Sequence, residues 1–594
     1  MRQLLISFSL VTLLLSACKL MPKEQTPAEN NRDLSKLFDD YYEGRMAMFP
    51  VEATFNGDDR YNDRLPVDFA DAFRDSTRSF YAHCLQRLRQ FDKASLNAND
   101  RLSYDILNWE LDSRLDGFRF HSNYIPFNQF TGLPLILGQM GSGASVQPFR
   151  TIGDHERWIR RAKAFGPWAD SAIVYFRKGL DSNIVLPRSL VLKLIPELEA
   201  IANGGLETNL FYGPVKQLAK ETDTAAARRL VGEYQDLIRG TIIPSYKRLA
   251  DFLKKDYLPK ARTSSGLSAL PGGPAWYEWL VHDQTTTSKT PEEIYQTGLS
   301  EVARIRRIMD SVKSSVGFTG DLHAFFDYIN TDKKFKPYKT PQEVLDAFEA
   351  IHQRMQPKLR ELFDHVPKTR FEIRQTEAFR AASASAEYFQ GSPDGRRPGV
   401  FYVPILDATQ FNMASGMESL FLHEAIPGHH YQISLQQEDT LLPRFRRFGG
   451  NNAYVEGWAL YCESLGRELG LYTDPYQYMG ALGDEIHRAI RLVVDVAIHT
   501  RGMSREAAIK YMTDNEQISE EGATAEIERY IAIPGQALGY KIGALKIREL
   551  RNKAQQTLGD KFHIAAFHDA VLDDGAMPLD VLEKKIDAWI EAHK

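Results

Sequence analysis

The sequence is poor in cysteine and has no excess of positive charge. Only three of its 594 residues are cysteine and no C-x-x-C pair is present, so a thiolate metal site is not expected. A formal net charge of −5 argues against a nucleic-acid partner. We predict that Cys84 and Cys462 are buried free thiols, because a chain of this size does not need a disulfide for stability.

Long apolar runs are also scarce, and the clearest one lies at the N-terminus. Residues 4–15 follow Arg2 and are apolar, but the run is too short for a stable membrane span and is typical of a signal peptide. The residues LSAC, ending at Cys18, resemble a bacterial lipobox, in which cleavage precedes a cysteine that carries lipid. The alternative is an ordinary secretory signal with a chance cysteine. We predict a signal peptide over 1–17 and a polar, lipidated tether over 18–31.

The residue after Cys18 is lysine and not aspartate. In a Gram-negative bacterium this resembles the pattern for outer-membrane delivery. We therefore expect a protein of the cell envelope that faces the periplasm and contacts the membrane only through its lipid anchor.

Strand patterns are sparse as well. The run 399–404 follows turn residues 392–395 and is the clearest small β element. It would be either an edge strand that pairs with a peptide backbone or a hairpin without a ligand role. Segments rich in glycine, proline and serine are predicted to be loops at cleft rims or domain seams: 132–143, 264–274 and 391–398.

Helical patterns, by contrast, dominate the chain. Predicted helices cover 33–48, 69–91, 99–116, 155–177, 224–252, 413–424, 453–469, 474–500, 504–515, 523–532, 537–557 and 578–592. Thr290 and Thr340 each precede proline and acidic residues, as at capped helix starts. No period of 20–50 residues repeats, which argues against a solenoid. We predict a mainly α fold, with an N-terminal helical part at 32–270 and a C-terminal helical part at 271–594 that carries a metal site.

The metal site is predicted from the run LHEAIPGHHY, residues 422–431, which contains three of the chain's 15 histidines. It looks like the zinc-peptidase motif H-E-x-x-H with two extra residues between the ligands. A catalytic zinc ion needs three protein ligands, an open fourth position and a base for the attacking water. On a regular helix His429 would lie on the wrong side from His423, and His430 would lie about 10 Å along the axis.

The pair Pro427-Gly428 offers a way to distort this helix, because proline breaks the hydrogen-bond ladder and glycine permits unusual dihedral angles. We therefore expect a deformed helix between Ala425 and His429. This deformation would bring His429 to the metal as the second ligand, with His430 as the alternative.

The third ligand is predicted in the apolar run 452–463. Glu456 and Glu463 are seven residues apart and share one helix face. A carboxylate on such a face is costly to bury unless it meets a cation or a metal. We predict that Glu456 binds the metal and that Glu463 orients a ligand histidine through its free ring nitrogen.

Four motifs occur in a fixed order: HEAIPGHH, YVEGWALYCE, RLVVDVAIH and IPGQALGYKIG. Together they resemble the bacterial family catalogued as domain of unknown function 885, from about residue 35 to the C-terminus. That family is similar to the gluzincin peptidases, notably the carboxypeptidase Taq group. The resemblance implies a large helical body with a deep central channel. It also implies one Zn²⁺ ion held by His423, His429 and Glu456, with Glu424 as general base.

The resemblance also suggests residues that would face the same cleft. Tyrosines beyond the metal site stabilise the oxyanion in related peptidases, so Tyr530 and Tyr540 are candidates, with Tyr530 preferred; core packing is the alternative for both. A further set would support the ligands or bind a substrate carboxylate: Arg488, Arg491, Asp495, His499 and Lys541. The alternative for the first four, which lie near one face of a single helix, is an intrahelical ion-pair ladder.

The predicted function is that of a zinc-dependent peptidase of the cell envelope. It would hydrolyse short or unfolded peptides, with carboxypeptidase-like action, through Glu-assisted attack of a zinc-bound water. Two alternatives stay open: a non-catalytic metal- or peptide-binding envelope lipoprotein, and a metallohydrolase of a non-peptide amide. The presence of Glu424 favours catalysis, because a metal can be held without it.

Overall fold

A computed structural model describes residues 31–221, 225–377, 385–392 and 395–594. The predicted signal peptide, Cys18 and nearly all of the tether lie outside the described residues. Within them the chain is mainly α-helical with one small sheet, as predicted. None of the described helices combines the length and the apolar composition that a membrane crossing requires.

The helices run through the whole described chain. Those of the first half are α1 Arg32–Met48, α2 Pro50–Phe55, α3 Asp71–Leu88, α4 Ala98–Gly117, α5 Leu133–Gly141, α6 Ile152–Lys163, α7 Phe165–Ser182, α8 Arg188–Ala202, α9 Gly213–Glu221, α10 Ala225–Leu237, α11 Ile243–Phe252 and α12 Gly273–Thr285. Those of the second half are α13 Pro291–Ser315, α14 Leu322–Thr331, α15 Pro341–Leu362, α16 Met417–Glu424, α17 His429–Glu438, α18 Arg444–Arg447, α19 Asn452–Glu463, α20 Pro475–Arg501, α21 Arg505–Asn515, α22 Glu520–Ala532, α23 Leu538–Leu558, α24 Ile564–Leu572 and α25 Leu579–His593.

Local capping fixes several helix starts where the sequence predicts them. The Thr290 hydroxyl accepts a hydrogen bond from the backbone N–H of Glu293, and the Glu293 carboxylate accepts one from the backbone of Thr290. The Thr340 hydroxyl caps α15 in the same way, through the N–H of Glu343. These side chains satisfy donors that the first helical turn leaves free.

Two predictions of local structure are wrong. The predicted helix 155–177 is divided into α6 and α7 around Ala164, just before Pro167, whose ring nitrogen cannot donate to the helical ladder. The predicted loop 132–143 is mostly the helix α5. Its glycines allow close packing, since a Cβ atom on Gly141 would lie 2.6 Å from the ring of Phe211. Tertiary packing here overrides low helix propensity.

The sheet has three strands in the order β1-β3-β2, namely β1 Phe371–Gln375, β2 Glu387–Phe389 and β3 Gly399–Val403. β3 pairs in parallel with β1 and antiparallel with β2. Of the two interpretations left open for this run, the edge strand is wrong: β3 is the central strand, which explains why Val400, Phe401 and Val403 are buried. β1 and β2 form the edges.

The helices enclose two hydrophobic cores. The first includes Leu37, Phe421 and Trp458, and the second includes Trp158, Ile490 and Ile527. Each core combines residues from before and after position 270, and α20 contributes to both. The boundary at 270/271 stays a prediction. Cys84 and Cys462 are buried free thiols, as predicted.

Candidate metal centre

The helix that begins at Met417 is broken at the predicted place. α16 ends at Glu424 and α17 begins at His429, with a cis peptide bond between Ile426 and Pro427. Gly428 is required here, because a Cβ atom at this position would lie 1.9 Å from the carbonyl oxygen of His423. The Trp458 indole donates to the carbonyl oxygen of Pro427 over 2.9 Å, which attaches the break to α19. The predicted deformation between Ala425 and His429 is confirmed.

This break brings His423, His429 and Glu456 together. One potential ligand atom from each residue lies within 4.8 Å of the other two. A carboxylate oxygen of Glu456 is 3.6 Å from Nε2 of His423 and 3.6 Å from Nε2 of His429. His423 is buried and the other two residues are half-buried, so the three donors converge on a space that small ligands can reach.

The His423 ring is held from its far side by Glu463. Nδ1 of His423 lies 2.8 Å from the Glu463 carboxylate, which leaves Nε2 directed at Glu456. This is the arrangement predicted for Glu463, and carboxylates in this position fix the orientation of ligand histidines. Burial works against the imidazolium ion, but hydrogen bonds to Glu456 and Glu463 raise the pKa of His423 to about 10.

The pKa values of His429 and Glu456 are shifted in directions that suit metal ligation. Burial lowers the pKa of His429 to about 4, so its imidazole is neutral and offers a lone pair. For Glu456 burial favours the neutral acid, but the hydrogen bond from His423 and the positive charge of that ring outweigh it and lower the pKa to about 2. The carboxylate is therefore ionised.

His430, the alternative ligand, lies elsewhere. Its Nδ1 is 2.9 Å from the hydroxyl of Tyr388, its ring packs against Phe371, and it lines a different cavity together with His352. The geometry therefore favours His429 over His430 as the second ligand.

Glu424 lines the same cavity as the three clustered residues. The cavity has a volume of about 740 Å³. Burial, with a smaller contribution from the charge of Glu456, raises the pKa of Glu424 to about 7, although His423, Arg488 and the backbone N–H of Tyr388 oppose this shift. A carboxyl group with a pKa near neutrality can both accept and donate a proton at physiological pH.

The two candidate tyrosines differ in position, and the geometry favours Tyr540 over Tyr530, which the sequence analysis preferred. Tyr530 is fully buried outside the cavity lining, where its hydroxyl donates to Glu526 and accepts from Nε of Arg491. Tyr540 lines the cavity, and a hydrogen bond from it helps to lower the pKa of Glu456. Tyr540 is therefore the tyrosine within reach of a ligand.

A close helix crossing positions Tyr540. α19 and α23 approach so tightly that a Cβ atom on Gly457 would lie 2.5 Å from Cα of Gly543. Both glycines belong to motifs noted in the sequence, and their absent side chains allow the backbones to meet. The residues next to this crossing, Glu456 on α19 and Tyr540 on α23, then face the same cavity.

The four candidate residues of α20 separate into two pairs with different surroundings. They therefore neither all face the cleft of the metal site nor all form an ion-pair ladder along the helix. Arg488 and Arg491 line the cavity. Asp495 instead accepts hydrogen bonds from the hydroxyl of Tyr277 (2.6 Å) and the N–H of Gly535 (3.1 Å) in the protein interior. Both nitrogens of the His499 ring are used by backbone groups, and burial lowers its pKa to about 3. Asp495 and His499 therefore lie outside the cavity lining, and we assign them a structural role.

Lys541 also lies outside the candidate site. Its ammonium group is buried 2.7 Å from Glu485 and 2.9 Å from Glu301, and it lines a separate cavity. Two carboxylates already satisfy it, so the geometry gives no support to Lys541 as an anchor for a substrate carboxylate.

Sequence reasoning missed several residues of the cavity wall. His487 lies between Arg491 (3.1 Å) and the carboxylate of Glu516 (2.8 Å), and Glu526 accepts from Arg491 over 3.1 Å. His487 is four residues before Arg491 on α20, so helical spacing could have found it. Tyr388 lines the wall from β2, whose position depends on strand pairing that no local pattern reveals.

Two arginines in this wall have N–H donors without hydrogen-bond acceptors among the described residues. Nη1 of Arg491 and Nε of Arg488 are buried, and neither has a hydrogen-bond partner within the described residues. Burial of an unpaired guanidinium N–H group is costly, and carboxylates are its natural acceptors. The cavity thus combines three metal-ligand candidates, one proton-transfer candidate and two arginines.

Comparisons with known proteins agree with this picture of the fold. A solved structure described as a "putative lipoprotein" from Colwellia psychrerythraea is similar, with 28% identity and a TM-score of 0.87 over 94% of this chain and 99% of that one. Another "putative lipoprotein", from Shewanella oneidensis, shares the fold, with 19% identity and a TM-score of 0.72 over 93% and 99% of the two chains. No functionally curated protein matches the chain.

The family predicted from the four motifs is confirmed over most of the sequence. The matching family model covers residues 50–586, which include every candidate residue of the metal centre. The chain therefore belongs to the family described as "Bacterial protein of unknown function (DUF885)".

Proposed function

We propose that this protein is a zinc-dependent peptidase that hydrolyses short or unfolded peptides, with carboxypeptidase-like action. The observation that carries the proposal is the convergence of His423, His429 and Glu456, within 4.8 Å of one another, on a cavity that Glu424 also lines. Two histidines and one glutamate form a known donor set of catalytic zinc, which keeps its fourth position open. The neutral ring of His429 and the ionised carboxylate of Glu456 fit such an ion.

Zinc bound by these residues would supply Lewis acidity toward water and the scissile carbonyl group. The other steps belong to the chain. Glu424 would accept a proton from the attacking water and later pass it to the leaving amine, for which a pKa near 7 is suited. The Tyr540 hydroxyl would donate a hydrogen bond to the carbonyl oxygen as negative charge develops on it.

The arginines of α20 support carboxypeptidase action. Among the described residues, Nη1 of Arg491 is buried in the cavity wall without a partner, and Nε of Arg488 is also unpartnered. A guanidinium group binds a carboxylate through paired hydrogen bonds. A peptide whose C-terminal carboxylate is held there would present its last amide bond to the metal cluster.

We also propose that the protein is a lipid-anchored envelope protein. The two similar solved structures are described as lipoproteins, and the residues ending at Cys18 resemble a lipobox. Attachment to the outer membrane on its periplasmic side would fit the lysine after Cys18.

The central test compares two glutamate substitutions in the full chain. E424Q should retain zinc and lose peptide hydrolysis by about 10²–10⁴-fold, because the general base is removed. The matched variant E456Q should lose both zinc and activity, because a ligand is removed. Zinc content by plasma emission and hydrolysis of a peptide library by mass spectrometry measure the two effects.

The outcomes separate the alternatives. If wild-type protein and E424Q both hold zinc but neither cleaves any peptide, the protein is a binder or acts on a non-peptide amide, and the peptidase proposal fails. If peptides are cleaved but trimmed from the N-terminus, only the carboxypeptidase assignment is overturned.

A further inference from the structure

A second cavity adjoins the candidate metal centre. Its volume is about 400 Å³, and it lies between α13, the C-terminal end of α19, α20 and α23. Glu463 belongs to its lining and also contacts the His423 ring. The Glu463 oxygen Oε2 is buried without a hydrogen-bond partner within the described chain. The cavity therefore shares one wall residue with the metal centre.

Some of the positively charged side chains that line this cavity are paired with carboxylates and others are not. Arg304 and Lys541 are each paired with both Glu301 and Glu485, so these four groups satisfy one another. Two other cationic residues, Arg467 and Arg548, line the same cavity, and neither forms an ion pair with a carboxylate in the part of the chain that the structure describes. Two guanidinium groups of this lining thus have no ion-pair partner among the described residues.

Both guanidinium groups are held in place by aromatic rings. Arg467 lies over the ring of Tyr478 at 4.4 Å, and Arg548 lies over the ring of Tyr461 at 4.9 Å and donates to the hydroxyl of Ser464. Stacking uses the face of a guanidinium group and leaves N–H groups at its edge free to donate. Arg467 and Ser464 are exposed, so a solute can enter from solvent.

We propose that this cavity is a binding site for a small oxyanion, a carboxylate or a phosphate, held between Arg467 and Arg548. Paired N–H donors on a fixed plane are the usual recognition of such groups. Apolar residues in the same lining, Leu460, Leu482 and Leu545, would accommodate a short carbon chain on the anion. The site is separate from the metal cluster and does not depend on peptidase activity.

The test is calorimetric titration of the full chain, freed of metal by a chelator, with inorganic phosphate and separately with acetate. The double variant R467Q/R548Q should bind the favoured anion about tenfold or more weakly, since it loses charge-assisted hydrogen bonds. Two control variants should leave the anion affinity unchanged. R239Q replaces an exposed arginine far in sequence from Arg467 and Arg548, and R529Q replaces an arginine in the wall of the metal cavity. R467Q alone serves if the half-buried Arg548 cannot be replaced without unfolding.

Preference for phosphate or for acetate identifies which source of oxyanion the site accepts. Absence of saturable binding of both anions at millimolar concentration would overturn the proposal. So would unchanged affinity in R467Q/R548Q. An equal loss in R529Q would place the anion in the metal cavity and would overturn it as well. Because no hydrolysis is measured, these outcomes are independent of the proposed peptidase activity.

Discussion

Two carboxylates determine what the His423 imidazole can do. Glu463 holds Nδ1 and Glu456 faces Nε2, and together they raise the pKa of the ring to about 10 against the effect of burial. A metal ligand must be the neutral imidazole, so binding of a divalent cation at Nε2 displaces a proton. Metal affinity should therefore increase with pH.

Asp495 shows how a residue of a recognised motif can serve stability alone. Burial raises its pKa to about 7 from an ordinary value of 3.8. Because the folded-state pKa is the higher one, its contribution to stability is full below about pH 4 and is lost as pH rises through about 7. In D495N this titration is absent, so urea denaturation at several pH values should show the variant gaining stability relative to wild type between these limits.

The same variant tests the structural role assigned to Asp495. Because Asp495 lies outside the cavity, D495N should keep wild-type zinc content and wild-type peptide hydrolysis. Loss of zinc in D495N, or a stability difference that does not change with pH, would contradict this role.

At the scale of helices and strands, some contacts at the site can be predicted from the sequence and others cannot. The break between α16 and α17 is encoded locally by Pro427-Gly428 and was predictable from the sequence. The choice of His429 over His430 depends on how α17 packs against β2, since Tyr388 engages His430. Likewise, no local sequence pattern shows that the Tyr530 hydroxyl is hydrogen-bonded to Arg491 and Glu526.

Substitution of Gly428 tests whether the break between α16 and α17 positions the metal ligands. A Cβ atom there would lie 1.9 Å from the carbonyl oxygen of His423 and 2.3 Å from that of Leu422, so G428A must displace the start of α17. We expect a loss of about 1–3 kcal/mol in the free energy of unfolding, as for other overpacked sites, together with reduced zinc content.

The matched control is G450A, because no heavy atom lies within 4 Å of a Cβ atom built at Gly450. Urea denaturation and metal analysis of both variants measure the effects. Wild-type zinc content in G428A would show that the break does not position His429.

At the scale of the whole molecule, the mainly α class, most helix positions and the family were predictable, because helical periodicity and ordered motifs are local. The order of strands in the sheet was not, since β3 pairs in parallel with β1, which precedes β2 in the chain, and this pairing is not local. The two cores were also not predictable, because each mixes residues from both halves of the chain.

The buried position of the cluster gives a prediction about substrates. A cavity of about 740 Å³ has the size of sites that enclose small ligands, and a folded protein surface does not enter such a space. The proposed peptidase should therefore cleave short peptides and a reduced, unfolded polypeptide but not the same polypeptide in its folded, disulfide-bonded state. Mass spectrometry of a disulfide-bonded substrate before and after reduction measures this, and equal cleavage of both forms would contradict it.

The metal-ligand candidates lie on α16, α17 and α19, which pack into the first core, whereas α20 and α22, on the arginine side of the cavity, contribute Ile490 and Ile527 to the second. A compound that joins a zinc-chelating group to a carboxylate would therefore contact helices of both cores at once. Its potency should depend steeply on linker length, with an optimum where both ends engage simultaneously. A series of such bidentate inhibitors would measure the span between the two walls in solution.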